Sequence, residues 1–297
     1  MKRERSTESM ALRLGCCGSM ISPATDPVGV EIVESLARLG FDYIELSLAD
    51  LAALPEGAFQ ALERRVRASG IRCEACNNFF PPSVRLTGKD AAMSTALEYA
   101  RAALERAGRL GVEVVVFGSA PAKNVPQGFP YAEAWKQLVA LLRRLGPIAA
   151  EHGITIAIEP ISRPESNFIN RLVDGLRLAR EVRHPNVQVL VDYYHLKREL
   201  ESPEVILEAG KMLRHVHFAS FAGRTFPKVW DAGLMGFFAC LERAGYRGRC
   251  SVEAGTQNFL TDAAFLARRF SEWKAEGRAR FAGSSAGASR PFETTTL

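Results

Sequence analysis

The sequence predicts an α/β fold, a single-domain (β/α)8 TIM barrel, on three observations. Eight short apolar runs alternate with amphipathic helical stretches almost from end to end. Their starts fall roughly 26 to 42 residues apart, the length of a strand, a helix and two loops. One punctuation, a helix then a glycine then a strand, recurs at Gly40-Phe41, Gly70-Ile71, Gly111-Val112 and Gly153-Ile154, as expected of repeated αβ loops. An open doubly wound sheet is the competing architecture. The turn after the first run, GCCGSM, lacks its GxGxxG pattern, and no Walker A sequence occurs.

The strands read as LRLGCC (12–17), FDYIEL (41–46), IRCEAC (71–76), VEVVVF (112–117), ITIAIE (154–159), VQVLVD (187–192), LRHVHF (213–218) and RCSVE (249–253). The first helix, 27–39, takes Asp26 as N-cap and Pro27 in its first turn. Helices follow at 55–69, 89–110, 131–152, 169–183, 202–211, 228–245 and 260–275. The long connections near 77–88 and 118–130 cap the catalytic face of such a barrel. The catalytic domain spans 11–281. Residues 1–10 are polar and charged, and 282–297 are small and polar, so both ends are expected to be disordered.

Of the 297 residues, 47% are hydrophobic and 24% charged, ordinary for a globular protein. No run reaches the roughly 18 to 20 apolar residues of a membrane span. The opening MKRERSTESM is followed by no apolar signal region, which predicts a cytoplasmic protein without a membrane partner. The net charge of +5 is spread along helices, so nucleic acid is not an expected partner. The cysteines are Cys16, Cys17, Cys73, Cys76, Cys240 and Cys250. Cys73 and Cys76 form a CxxC with no second pair to complete a zinc site, and on a regular strand they point to opposite faces. Buried, reduced thiols are predicted.

The chemistry concentrates at four strand ends: Glu159 in ITIAIEP, Asp192 in VQVLVDYYH, His217 in LRHVHFAS and Glu253 in RCSVEAG. Singly, each has a bland explanation: Glu159 could open a helix before Pro160, and Asp192 could cap a turn. His217 could be a packed core histidine, and Glu253 could pair with an arginine. Jointly these explanations need four coincidences at equivalent positions. Buried carboxylates are costly unless a cation meets them, and barrel enzymes place their chemistry at strand C-termini. Three carboxylates and an imidazole predict a divalent ion such as Mn²⁺, Mg²⁺ or Co²⁺ over a thiolate zinc site. His215 shares a strand face with His217 one layer deeper and reads as packed. Glu45 ends the second strand, where substrate contact or a buried pair with arginine is equally open. Asn77, Asn78, Phe79 and Phe80 follow the third, the two aromatics being placed either to shield the site or to pack the loop.

The runs IEPISRPESNFIN, VDYYH, HVHFAS and SVEAG resemble the sugar phosphate isomerase/epimerase superfamily of xylose isomerase-like barrels, over roughly residues 12–275. The resemblance is closest to the ketose 3-epimerases of the D-tagatose and D-psicose type. It implies one divalent metal, Mn²⁺ first and Co²⁺ or Mg²⁺ next, held by Glu159, Asp192, His217 and Glu253. It implies Glu159 and Glu253 as the catalytic pair, and Glu165, His195 and Arg224 as substrate-binding residues. The expected reaction is isomerisation or 3-epimerisation of a ketose or related hydroxycarbonyl compound. A proton is abstracted and returned through a metal-bound enediolate. The same scaffold supports a dehydratase of the inosose or 3-dehydroshikimate type, and a sugar-binding or partner-dependent barrel is a further alternative. The resemblance also implies a homodimer or homotetramer. In the loop FASFAGR, Ser220 and Phe221 stand where many relatives carry an acidic residue. The endonuclease branch needs additional metal-binding His and Glu residues for three zinc ions; of the five histidines, His152 and His184 read as helix-end or loop positions, so a trinuclear site is not expected. AGTQNF, after the last strand, carries no phosphate-gripping pattern, favouring a non-phosphorylated substrate.

Overall fold

A computed structural model describes residues 12–23 and 25–285, with side chains through residue 276. Of the ends expected to be disordered, residues 1–10 and the 286–297 part of 282–297 lie outside the described residues. Eight parallel strands close into one barrel in chain order: β1 Arg13–Cys17, β2 Tyr43–Ser47, β3 Arg72–Asn77, β4 Val114–Phe117, β5 Thr155–Ile158, β6 Val187–Asp192, β7 Leu213–Phe218 and β8 Arg249–Val252. Every strand boundary lies within two residues of its predicted place. The predicted fold is therefore the observed one.

The helices are α1 Val33–Leu39, α2 Leu48–Ala53, α3 Glu56–Ser69, α4 Met93–Leu110, α5 Ala120–Lys123, α6 Tyr131–Glu151, α7 Leu172–Val182, α8 Tyr193–Arg198, α9 Val205–Ala209, α10 Ala232–Arg243 and α11 Phe259–Ser285. Three of these, α2, α5 and α8, were not expected; all follow strand C-termini and so lie at the mouth of the barrel. The first helix starts later than predicted. Asp26 accepts from the backbone of Gly29 and Glu31 ahead of a 3-10 turn at Val30–Ile32 whose N-cap is Gly29, and α1 begins only after it. Likewise α10 begins at Ala232, where Asp231 accepts from Leu234 N at 2.8 Å. The final helix passes the expected boundary at 281 and runs to Ser285. Among the described residues no helix is long and apolar enough to cross a membrane.

Two apolar layers hold the barrel. The outer, larger one packs helix residues such as Leu36, Phe59, Leu104, Leu142, Leu176 and Phe237 onto the strands. The inner one consists of Tyr43, Ala75, Val114, Val116, Ala157 and Leu190. Below it, Glu74 closes the N-terminal end of the barrel. Arg13 reaches its carboxylate at 2.5 and 2.7 Å, and Arg249 Nε donates to it at 2.8 Å. Burial would raise the Glu74 carboxyl, but Arg13 and Arg249 outweigh it and hold it below the ordinary carboxylate range.

Glu74 also corrects the reading of the CxxC. Ile44 pairs with Cys73 and Glu45 with Ala75, so Glu74 is the extra residue of a bulge. Alternation slips by one there, and Cys73 and Cys76 both join the outer layer instead of pointing to opposite faces. All six cysteines are free and buried.

Candidate metal centre and active site

The parallel register delivers the four predicted side chains to one place. Glu159 follows the last residue of β5, Asp192 ends β6 beside its register partner His217 on β7, and Glu253 follows β8. One ligand atom from each of Glu159, Asp192, His217 and Glu253 lies within 4.8 Å of all the others, and all four residues are buried. His217 Nδ1 stands 3.1 Å from Glu159 Oε1 and 3.5 Å from Glu253 Oε2. Asp192 combines two of the readings its sequence left open. Its Oδ1 accepts from Tyr194 N at 2.7 Å and caps α8, while its Oδ2 is buried with no hydrogen-bond partner. A buried carboxylate oxygen without a partner is rare. Beside two more carboxylates and an imidazole, its donor set fits a hard or borderline divalent cation.

In this position the Glu159 carboxylate lies against residue 118, a glycine. A Cβ on Gly118 would stand 2.2 Å from Glu159 Oε2. Beneath the same carboxylate lies Lys123, a residue the sequence pattern did not single out. Its buried Nζ donates to the carbonyls of Gly118 and Glu159, tying the turn after β4 to the end of β5. Burial pulls the Lys123 ammonium down to about 8. It belongs to the four-residue helix α5, too short to give a readable period.

Behind the quartet, Glu45 is fully buried and accepts from His215 Nε2 at 2.8 Å, His217 Nε2 at 3.0 Å and Ser251 Oγ at 2.6 Å. The partner is thus a pair of histidines, not the arginine considered as an alternative. This bond fixes the His217 ring so that Nδ1 faces the carboxylates, the arrangement by which proteins orient metal-binding histidines. Burial works against charge on Glu45, but His217 and His215 outweigh it and hold its carboxyl well below the ordinary range. Burial likewise works against the His217 imidazolium, but Glu45 and Glu253 raise it well above its usual value. His215 is lowered, chiefly by burial.

The three residues expected to hold substrate converge on the quartet. Arg224 donates from Nη2 to Glu253 Oε2 at 2.6 Å and from Nη1 to Glu165 Oε2 at 3.0 Å, and its Nη2 lies 3.7 Å from Asp192 Oδ2. His195, on α8, has Nδ1 held by the Ser162 backbone N at 3.3 Å and hydroxyl at 3.0 Å, with Nε2 3.8 Å from Asp192 Oδ2. Ser162 is a second contact the sequence gave no reason to name. Burial opposes charge on Glu253, but His217 and Arg224 outweigh it and hold this carboxyl well below the ordinary range. Asn77 Nδ2 donates to Glu253 Oε1 at 3.1 Å, and Phe80 lines the cavity while Phe79 packs in the outer layer. The cavity over these groups measures about 760 Å³.

A family model described as the xylose isomerase-like TIM barrel matches residues 33–273. The chain belongs to this family. Among curated members of similar sequence, it is 29% identical over 229 residues to an L-ribulose 3-epimerase of Methylomonas sp. (strain DH-1), covering 75% of this chain and 77% of that one. It is 23% identical over 267 residues to a ketose 3-epimerase of Arthrobacter globiformis, covering 89% and 90%. The crystal structure of a Methylomonas sp. D-allulose 3-epimerase in complex with D-allulose superposes with a TM-score of 0.78 at 24% identity, over 89% of this chain and 97% of that one. That likeness carries the shared barrel. This xylose isomerase-like barrel is accordingly an enzyme.

Proposed function

We propose that the enzyme is a divalent-metal-dependent ketose 3-epimerase, with the ion held by Glu159, Asp192, His217 and Glu253 and Mn²⁺ the expected occupant. The observation that carries this reading is the meeting of two carboxylates, Glu159 from β5 and Glu253 from β8, at one imidazole nitrogen beneath an open cavity. The names of the sequence relatives support it. A divalent cation in the quartet supplies a Lewis acid, stabilising negative charge that builds on the carbonyl oxygen of a bound ketose.

The protein's own groups then move the proton. One of the two glutamates takes the proton from the carbon beside the carbonyl, and the electron pair of that C–H bond passes towards the carbonyl oxygen. The other delivers a proton to the opposite face, and the C–H bond is remade with inverted configuration. Atoms balance, because substrate and product are isomers and the two carboxyls re-equilibrate their protons with water between turnovers. Arg224 and Glu253 hold each other in place, keeping that carboxylate ionised. His195, anchored by Ser162, presents Nε2 to substrate hydroxyls. The test is product analysis of a panel of free ketoses incubated with the Mn²⁺-loaded enzyme. A C3 epimer from at least one ketose is expected. Dehydrated products from inosose or 3-dehydroshikimate, with no epimer from any ketose, would replace this reading with that of a dehydratase.

A further inference from the structure

The cavity divides into two unlike halves. Over β5 to β8 lie the quartet, Glu165, His195 and Arg224. Over β1 to β4 the walls are the helices α2 and α5: Ser47, Ala49 and Asp50 on one side and Ser119 and Ala120 on the other, with Asn78 between and the larger Met20, Phe80, Pro81, Pro82 and Pro121 completing the lining. The wall is ordered, since Ala49 N donates to Asn78 O at 3.0 Å and Phe80 N donates to Ser119 Oγ at 2.9 Å. A free ketohexose has about a dozen non-hydrogen atoms and fills only part of a space that ordinarily takes a much larger ligand. The outer half offers the Asn78 amide, the Ser119 hydroxyl and a Ser47–Asp50 pair in which the hydroxyl donates to the carboxylate, set among the apolar faces of Met20, Phe80 and the prolines, and among the described residues no cation. Arg224, the one cation lining the cavity among the described residues, lies in the other half and is already engaged by Glu253 and Glu165. Hydroxyl, amide and carboxylate groups bind sugar hydroxyls, whereas a phosphate here would meet Asp50 with no positive charge to offset it.

We infer that the substrate carries a second, uncharged glycosyl unit on the end of the ketose remote from the reacting carbon, and that the space between α2 and α5 binds it. This rests on the epimerase reading above. Three probes share one reacting end and differ only at C6: D-fructose, its 6-O-glucosyl derivative isomaltulose, and fructose 6-phosphate. With the Mn²⁺-loaded enzyme, kcat/KM for C3 epimerisation is expected to be at least tenfold higher for isomaltulose than for D-fructose, with fructose 6-phosphate no better than D-fructose. Ala49→Trp fills the outer half and is expected to lower the isomaltulose to D-fructose ratio at least tenfold. Ala120→Trp, on the facing wall, gives the same reading where the first variant does not fold. Equal or better turnover of D-fructose, a preference for fructose 6-phosphate, or an unchanged ratio in both tryptophan variants would overturn the inference and leave the epimerase reading standing. No epimerisation of any of the three would overturn the inference, and the epimerase reading falls with it only where no ketose of the wider panel is epimerised.

Discussion

Glu45→Gln separates the ligands from the residue that aims them. The substitution keeps the shape of the side chain and removes its charge at a site with no solvent to compensate. Glu45 accepts three hydrogen bonds, two of them from His215 and His217 at 2.8 and 3.0 Å. A glutamine has one acceptor oxygen, so it can serve one histidine well and must turn its NH₂ towards the other or towards Ser251. Bonds to charged groups are worth about 1.5 to 3 kcal/mol each. Only the part that orients His217 is felt at the metal, and loss of such an orienting partner costs about 10- to 100-fold in affinity, or roughly 1.4 to 2.8 kcal/mol. Titration of the apo-protein with Mn²⁺ by calorimetry is therefore expected to give a Kd about 30-fold weaker than wild type, within that range. The Mn²⁺-induced rise in melting temperature should shrink in parallel. A Kd within about twofold of wild type, in a variant that melts cooperatively, would refute the reasoning that Glu45 fixes a metal-binding His217.

Glu74→Gln should destabilise the barrel by about 3 kcal/mol at pH 7, because it leaves Arg13 and the buried Arg249 short of their partner. The folded Glu74 carboxyl lies below its reference of 4.5, so its contribution is complete above 4.5 and is lost as pH falls through the lower folded value. Urea melts should accordingly show the gap between wild type and variant closing below pH 4.5; a gap that widens there would contradict the pairing. Glu159→Gln and Glu253→Gln should each lower kcat for epimerisation about 10³-fold, and a variant keeping a tenth or more of wild-type kcat would remove that residue from the proton path. Lys123→Met should cost about 2 kcal/mol in chemical denaturation by orphaning two buried carbonyls, and an unchanged denaturation midpoint would show that the tie between the two strand ends contributes nothing. Gly118→Ala should weaken Mn²⁺ binding in calorimetry, since its Cβ would stand 2.2 Å from Glu159 Oε2 and force the carboxylate to shift; wild-type affinity would mean that Glu159 is free to bind from another rotamer.

The barrel and its quartet were legible because both follow from the periodicity of long segments. Eight apolar runs of near-constant spacing leave few alternatives to a closed barrel, and a polar residue at the tip of a buried strand stands out against its neighbours. What escaped has a physical reason in each case. The helices α2, α5 and α8 have six, four and six residues, less than two turns, so no repeat of 3.6 can register. Lys123 lies in APAK, a stretch that reads as loop, and its role depends on carbonyls of Gly118 and Glu159 brought to it by packing. The bulge at Glu74 has no mark in IRCEAC, since it is set by pairing with β2. Glu45 was noticed as a strand end, but its partners lie 170 and 172 residues away, which local pattern does not encode.

The most direct test of the proposed chemistry is a single NMR experiment in D₂O with the Mn²⁺-loaded enzyme and a ketose substrate. The two-glutamate mechanism predicts one deuterium at C3 of the epimerised product, no loss of water, and no incorporation after the metal is stripped and withheld. Elimination of water without exchange at C3, or inversion that leaves the original C3 hydrogen in place, would contradict it.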